Sequence, residues 1–176
     1  GSWAWDFGLA EGTEVWAAAE GSVEAVRMDS DTGGCDAAYA NDANYVVVDH
    51  GDGTAALYLH LQQWSSSLGL GDWLYTGEPV GRIGLTGWVC GTPLHVQVQS
   101  VCGSWWCQSM QAQFFDYGDP SYGDWLTSDN CGGSPACSAV LDGGETTIDE
   151  TDSACFQRVS QWWWGVEEGY DGHHYF

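Results

Sequence analysis

Two histidines and one aspartate have the right chemistry, and sit in the right kind of segment, to share a metal ion. The segment Gly91-Thr92-Pro93-Leu94-His95-Val96-Gln97-Val98 alternates with a period of two, as a strand does. Leu94, Val96 and Val98 therefore face one way, and Pro93, His95 and Gln97 the other. His60 lies in a similar segment, Ala56-Leu57-Tyr58-Leu59-His60-Leu61, and Asp6 follows an aromatic run near the start of the chain. Imidazole nitrogen and carboxylate oxygen are donors that zinc accepts, and three of them drawn from separate strands would make a site. Taken one at a time, the same residues also suit the polar face of an ordinary half-buried strand.

The elements that must position these residues read as short strands separated by glycine turns. Trp3-Ala4-Trp5-Asp6-Phe7 is the first, and segments 12–17 and 21–26 follow, joined at Glu20-Gly21. Residues 29–44 are rich in Asp, Gly and Asn and read as a loop. Tyr45-Val46-Val47-Val48-Asp49 is the strongest strand signal, because β-branched side chains pack well on a pleated surface. His50-Gly51-Asp52-Gly53 is a hairpin turn, and the return strand is expected over 54–61. Residues 71–84 read as strand, turn, strand, and no amphipathic helix is visible in this region. Together these segments predict an all-β sandwich or barrel.

The charge balance excludes several partners. Twenty-five acidic residues stand against three arginines and no lysine, for a formal charge of −22. Nucleic acid is not expected, since neutralising phosphates needs Lys and Arg. Attraction to an anionic surface is excluded on the same ground, and the acidic residues read as a solubilising surface. No stretch is long and apolar enough to span a membrane. The chain lacks an initiator Met and reads as part of a longer protein. Seven cysteines without a CxxC pair suggest disulfides and an oxidising compartment. Cys102 and Cys107 flank a compact loop, as do Cys131 and Cys137; Cys35 and Cys90 could join across the fold, leaving Cys155 over.

The ordered set of these signals resembles the LytM/lysostaphin-type zinc endopeptidases, which cut peptide cross-links in bacterial peptidoglycan. The resemblance runs from about Trp3 to Gln99. It rests on Trp5-Asp6-Phe7-Gly8, Gly12 to Ala17, Gly21-Ser22-Val23, Tyr45 to Gly53, Tyr58-Leu59-His60-Leu61, Gly81 to Gly87 and Leu94-His95. It implies a compact antiparallel β-sandwich with a groove, built as a duplicated hybrid motif. It also implies that Asp6 and His95 are metal ligands and that His60 is a catalytic histidine. Two positions depart from the family pattern. Ser2 stands where that family has its first His ligand, and Pro93 where it has the first His of a His-x-His pair. A Ser hydroxyl is a poor zinc ligand and Pro offers no donor. Zinc binding is therefore expected to be weak or lost, and hydrolysis weak or absent.

The expected organisation is a peptidase-fold domain over 1–117, a Gly/Ser/Cys-rich linker over 118–147, and the start of a second β module over 148–176. Among twelve tryptophans, Trp5 and Trp88 are the expected wall of the groove, beside Asp6 and just ahead of the His95 strand. The resemblance implies a bacterial protein that is secreted, surface-bound or periplasmic. Its partner would be a peptidoglycan peptide or glycan. The alternatives are an active zinc endopeptidase whose missing ligand lies upstream, and a carbohydrate-binding or adhesive module that uses the aromatic residues.

Overall fold

A computed structural model describes residues 3–91 and 93–113, together with the backbone of three further short strands at 125–127, 138–141 and 174–175. The elements in order are β1 (Trp5–Gly8), β2 (Glu14–Trp16), β3 (Gly21–Arg27), β4 (Gly33–Gly34), a 3-10 turn (Ala37–Tyr39), β5 (Tyr45–Asp49), β6 (Thr54–Leu59) and β7 (Trp73–Leu74). They continue with β8 (Pro79–Arg82), β9 (Gly87–Trp88), β10 (Leu94–Ser100), β11 (Ala112–Gln113), β12 (Trp125–Thr127), β13 (Ser138–Leu141) and β14 (His174–Tyr175). The described residues are nearly all β and predominantly antiparallel, as the alternation and the turns predict. Ser2, Cys131, Cys137 and Cys155 lie outside the described residues.

The principal sheet has the order β12-β13-β1-β10-β6-β5-β3-β7. Its central hairpin, β5 and β6, is the Val-rich strand and its return. Asp side chains hold the turn between them. Asp49 Oδ1 accepts from the Gly51 amide at 2.8 Å, and Asp52 Oδ1 accepts from the Thr54 amide at 2.8 Å. Such Asx turns give the backbone its bend without help from distant residues.

The two faces of the sheet bury different things. On one, Trp5, Phe7, Val46, Val48, Ala56, Tyr58, Val96 and Val98 meet Val15 and Val80 from the small β2·β8 sheet and Ile83 just after it, forming a two-layer core. Burial pushes the Tyr58 phenol up to about 12, and its oxygen accepts from the Ala18 amide at 2.7 Å. On the other face, Val47, Ala55, Leu57 and Leu59 form a smaller cluster with Ala43, against which Tyr45 and Trp105 pack. Strand periodicity puts Asp6, His95, Gln97 and Gln99 on this second face, because their neighbours Trp5, Phe7, Val96 and Val98 occupy the first.

Two disulfides fix loops around that face. Cys35–Cys90 ties the long loop after β3 to the turn that precedes β10, and Cys102–Cys107 closes the loop after β10. No helix among the described residues is long and apolar enough to cross a membrane.

Candidate functional site

Strand register lines up a row of side chains across the second face. Asp6 on β1 pairs with His95 on β10, His95 with Leu59 on β6, and Leu59 with Tyr45 on β5. Opposed residues on adjacent strands lie within side-chain contact. His95 Nδ1 is accordingly 2.8 Å from Asp6 Oδ1. His95 Nε2 is 3.4 Å from Gln97 Oε1, two residues on along the same face.

His60 comes to this row by leaving its strand. The return strand expected to run to Leu61 ends at Leu59, and His60 takes a left-handed backbone with φ 66°. A residue other than glycine holds that conformation only where its surroundings over-determine it. Here they do. The His60 carbonyl accepts from the Gly84 amide at 2.9 Å, and the Leu61 amide donates to the Asn44 carbonyl at 3.2 Å. Gly84 is required for this approach, since a Cβ there would sit 2.5 Å from the Gln62 nitrogen.

A buried polar clamp completes the hold. Asn44, fully buried, accepts from the Ser30 amide at 2.9 Å and donates to the Ser30 and Leu61 carbonyls at 2.8 and 3.1 Å. Its own amide donates to Thr86 Oγ1, whose hydroxyl donates to the Leu61 carbonyl at 2.9 Å. The Thr86 carbonyl lies 2.7 Å from His60 Nδ1. A carbonyl can only accept, so Nδ1 carries the hydrogen and Nε2 is left with its lone pair. The His60 imidazole is held below its ordinary pKa. Burial is the main cause, the Thr86 hydrogen bond opposes it, and His95 and Asp6 act in opposite senses. A neutral imidazole with an available Nε2 is the form a general base needs. The His60 and His95 rings are 6.3 Å apart, edge to face.

The structure thus brings Asp6, His95 and His60 into one neighbourhood. Trp5 does not join them. It is buried with Phe7 in the two-layer core, because successive strand residues face opposite ways and Asp6 occupies the second face. Trp88 on β9 is about half exposed. Pro93 is buried and has no donor to offer.

Two aromatic residues that the sequence did not single out cover the row instead. Trp106 stacks on the His95 ring at 5.7 Å and 25°, and Trp105 stacks on Tyr45 at 4.9 Å and 13°. Both belong to the loop closed by Cys102–Cys107. That loop was legible from its cysteine spacing, but nothing in the spacing says that it folds back over the strand it follows.

The Asp6–His95 separation of 2.8 Å is a hydrogen-bond distance. Two donors that each lie about 2.0–2.2 Å from a tetrahedral zinc ion stand about 3.3–3.6 Å apart. The described residues contain no group of three or more His, Cys, Asp or Glu side chains placed to hold a metal ion.

Residues 2–105 match the sequence model of Peptidase family M23, and the chain belongs to that family. Similar solved structures include a variant of the catalytic domain of the prophage-encoded M23 protein EnpA from Enterococcus faecalis, at 24% identity, 57% of this chain, 68% of that one and a TM-score of 0.44. The catalytic domain of the antimicrobial peptidase lysostaphin from Staphylococcus simulans aligns at 21% identity, 55% of this chain, 65% of that one and a TM-score of 0.42. A zinc-containing peptidase from Vibrio cholerae aligns at 27% identity, 51% of this chain, 24% of that one and a TM-score of 0.40. This chain spans only part of each of those proteins. No curated protein matches it.

Proposed function

We propose that this M23-family domain acts outside the bacterial cytoplasm on cell-wall peptidoglycan, binding a peptide or glycan of the wall with little or no hydrolysis. Its two disulfides support an oxidising compartment. Asp6 and His95 are the residues that would hold a zinc ion, and His60 is the group that would take a proton. A bound zinc would supply Lewis acidity and a more acidic water. The observation that carries the reduced activity is Pro93. It stands on the His95 segment, two residues upstream, where it provides neither a ligand nor a base. Trp106, stacked on the His95 ring, is the aromatic surface available to a sugar or peptide beside the row, and Trp88 on β9 is a second exposed one.

The convergence of Asp6, His95 and His60 supports a second reading, an active zinc endopeptidase completed by a ligand from outside the described residues. One experiment separates the two. Purified protein is assayed for co-sedimentation with bacterial wall sacculi, bound zinc and release of soluble muropeptides. The first reading expects co-sedimentation without muropeptide release. Equimolar zinc with sustained release would replace it with the second, and failure both to co-sediment and to release muropeptides would reject both.

A further inference from the structure

The geometry points to a second binding site, at the β7 edge of the principal sheet, where Trp73 and Tyr75 stack on an uncharged chain of pyranose sugars. Alternation sets the two rings on one side. Leu74 between them is buried in the two-layer core, so its neighbours face outward. Trp73 is 53% exposed and Tyr75 61%. Their rings lie 6.5 Å apart at 69°, edge to face, and form an aromatic corner. The backbone beneath them is fixed before any ligand arrives. Asp72 Oδ2 accepts from the Gly69 amide at 2.7 Å, and the Asp72 carbonyl accepts from the Val23 amide at 2.8 Å. Glu78 Oε2 accepts from the Tyr75 amide at 2.9 Å, and the Glu78 carbonyl accepts from the Ala17 amide at 2.8 Å. A surface held in this way loses little further freedom on binding.

Strand length, charge and the flanking carboxylates choose the occupant. β7 is two residues long, too short to template an added peptide strand, so the edge offers its rings rather than its main chain. The formal charge of −22 repels anionic ligands and a second copy of this chain. Exposed carboxylates flank the rings, Asp72 directly before Trp73 and Glu78 on the Tyr75 amide. Each gives one oxygen to its own turn, and a carboxylate has acceptor capacity beyond one bond. The ligand must therefore bring donors at its rim and an apolar face at its centre. A pyranose does both. Its axial C–H bonds meet the electron-rich face of an indole or phenol, and its hydroxyls donate outward to carboxylate oxygen. The site is separate from the His95 row. β6, β5 and β3 lie between β10 and β7, which makes about 20 Å at the usual strand spacing.

The natural ligand of this site rests on the wall reading proposed above, which it narrows to the glycan, and the experiment separates the two claims. The full chain is titrated with a soluble β-linked tetramer of N-acetylglucosamine in a calorimeter. Trp73→Ala and Tyr75→Ala should each weaken binding about tenfold or more. Trp64→Ala, which removes an exposed tryptophan elsewhere, should leave it unchanged. Amide NMR of the unmodified protein reads the same site without a variant, and the tetramer should shift resonances within 70–78. Absence of binding, or shifts confined to other segments, would overturn the site. So would full affinity in folded Trp73→Ala and Tyr75→Ala proteins, or a loss on Trp106→Ala that those two variants do not show. Retention on sacculi without uptake of the tetramer would overturn the site and leave the wall reading standing. Tetramer binding through Trp73 without retention on sacculi or muropeptide release would uphold the site and reject the wall reading.

Discussion

His95 Nδ1 lies 2.8 Å from Asp6 Oδ1 although the two residues are 89 positions apart in the chain. The contact follows from the β1·β10 register, which sets Asp6 opposite His95 on the face away from the main core. In the proposed reading Asp6 shares a cation with His95, and its side chain remains about half exposed. Asp6→Asn should therefore abolish measurable Zn2+ binding by titration calorimetry while changing the melting temperature little. Unchanged Zn2+ affinity in that variant would move the metal, if any, away from this pair.

Asn44 is the structural key to His60. Its side chain makes three hydrogen bonds in a fully buried position. Truncation leaves the Ser30 amide and the Ser30 and Leu61 carbonyls short of a partner, and an unsatisfied buried group costs about 1–3 kcal/mol. Asn44→Ala should lower unfolding stability by roughly 3 kcal/mol or more, read as a lower urea midpoint. The smaller change expected of an exposed site, such as Asp31→Ala, provides the comparison.

The core and its strands were legible in the sequence because they depend on local pattern. The Val-rich β5, the Asx-held hairpin turn and the alternation through 94–98 each state their face without reference to the rest of the chain. The pairing of Cys102 with Cys107 was legible for the same reason. Three features were not. His60 reads as one more strand residue, and its left-handed backbone is set by Gly84 and Asn44, which are distant in sequence. Trp106 reaches His95 only because the disulfide loop turns back on β10. Trp5 reads as a groove residue from its adjacency to Asp6, whereas strand periodicity sends neighbouring residues to opposite faces.

The His60 environment gives stability a pH dependence. Its imidazole is held below the ordinary value of 6.5, chiefly by burial. Below that value the unfolded chain binds a proton that the folded chain does not. Unfolding free energy therefore falls as pH falls from about 6.5 through the folded-state pKa, and the full contribution is present above that window. Urea titrations at closely spaced pH values should show a downward bend in this range. His60→Gln should flatten the bend. A bend of the same size in that variant would assign it to other groups.

The acidic surface predicts a salt effect of definite sign. Twenty-five carboxylates with three arginines repel one another more in the folded state than in an expanded chain. Two of those arginines are paired locally, Arg27 with Asp29 and Arg82 with Glu14, and both pairs are partly exposed. Exposed pairs of this kind contribute about 0–1 kcal/mol and cannot offset the rest. The melting temperature should rise as NaCl goes from low to near-molar concentration, because screening shortens the range of the repulsion. A flat or falling curve would mean that the carboxylates are better compensated than their number implies.

Restoring the two departures from the family pattern separates metal binding from chemistry. Ser2→His restores the first His ligand of the family pattern, so it should raise Zn2+ affinity by at least about tenfold. By itself it should leave muropeptide release near background, because Pro93 still provides no base. Pro93→His places an imidazole two residues before His95, on the same side of the segment by strand periodicity. General acid–base assistance is worth about a hundredfold or more in rate. The double variant should therefore exceed Ser2→His by about that factor in muropeptide release at equal zinc loading. Addition of His60→Gln to the double variant should remove the gain, since His60 is the imidazole already fixed with its Nε2 available. Equal turnover in the unmodified protein and the double variant would show that Pro93 is no handicap, and that the hydrolytic centre is assembled from other groups.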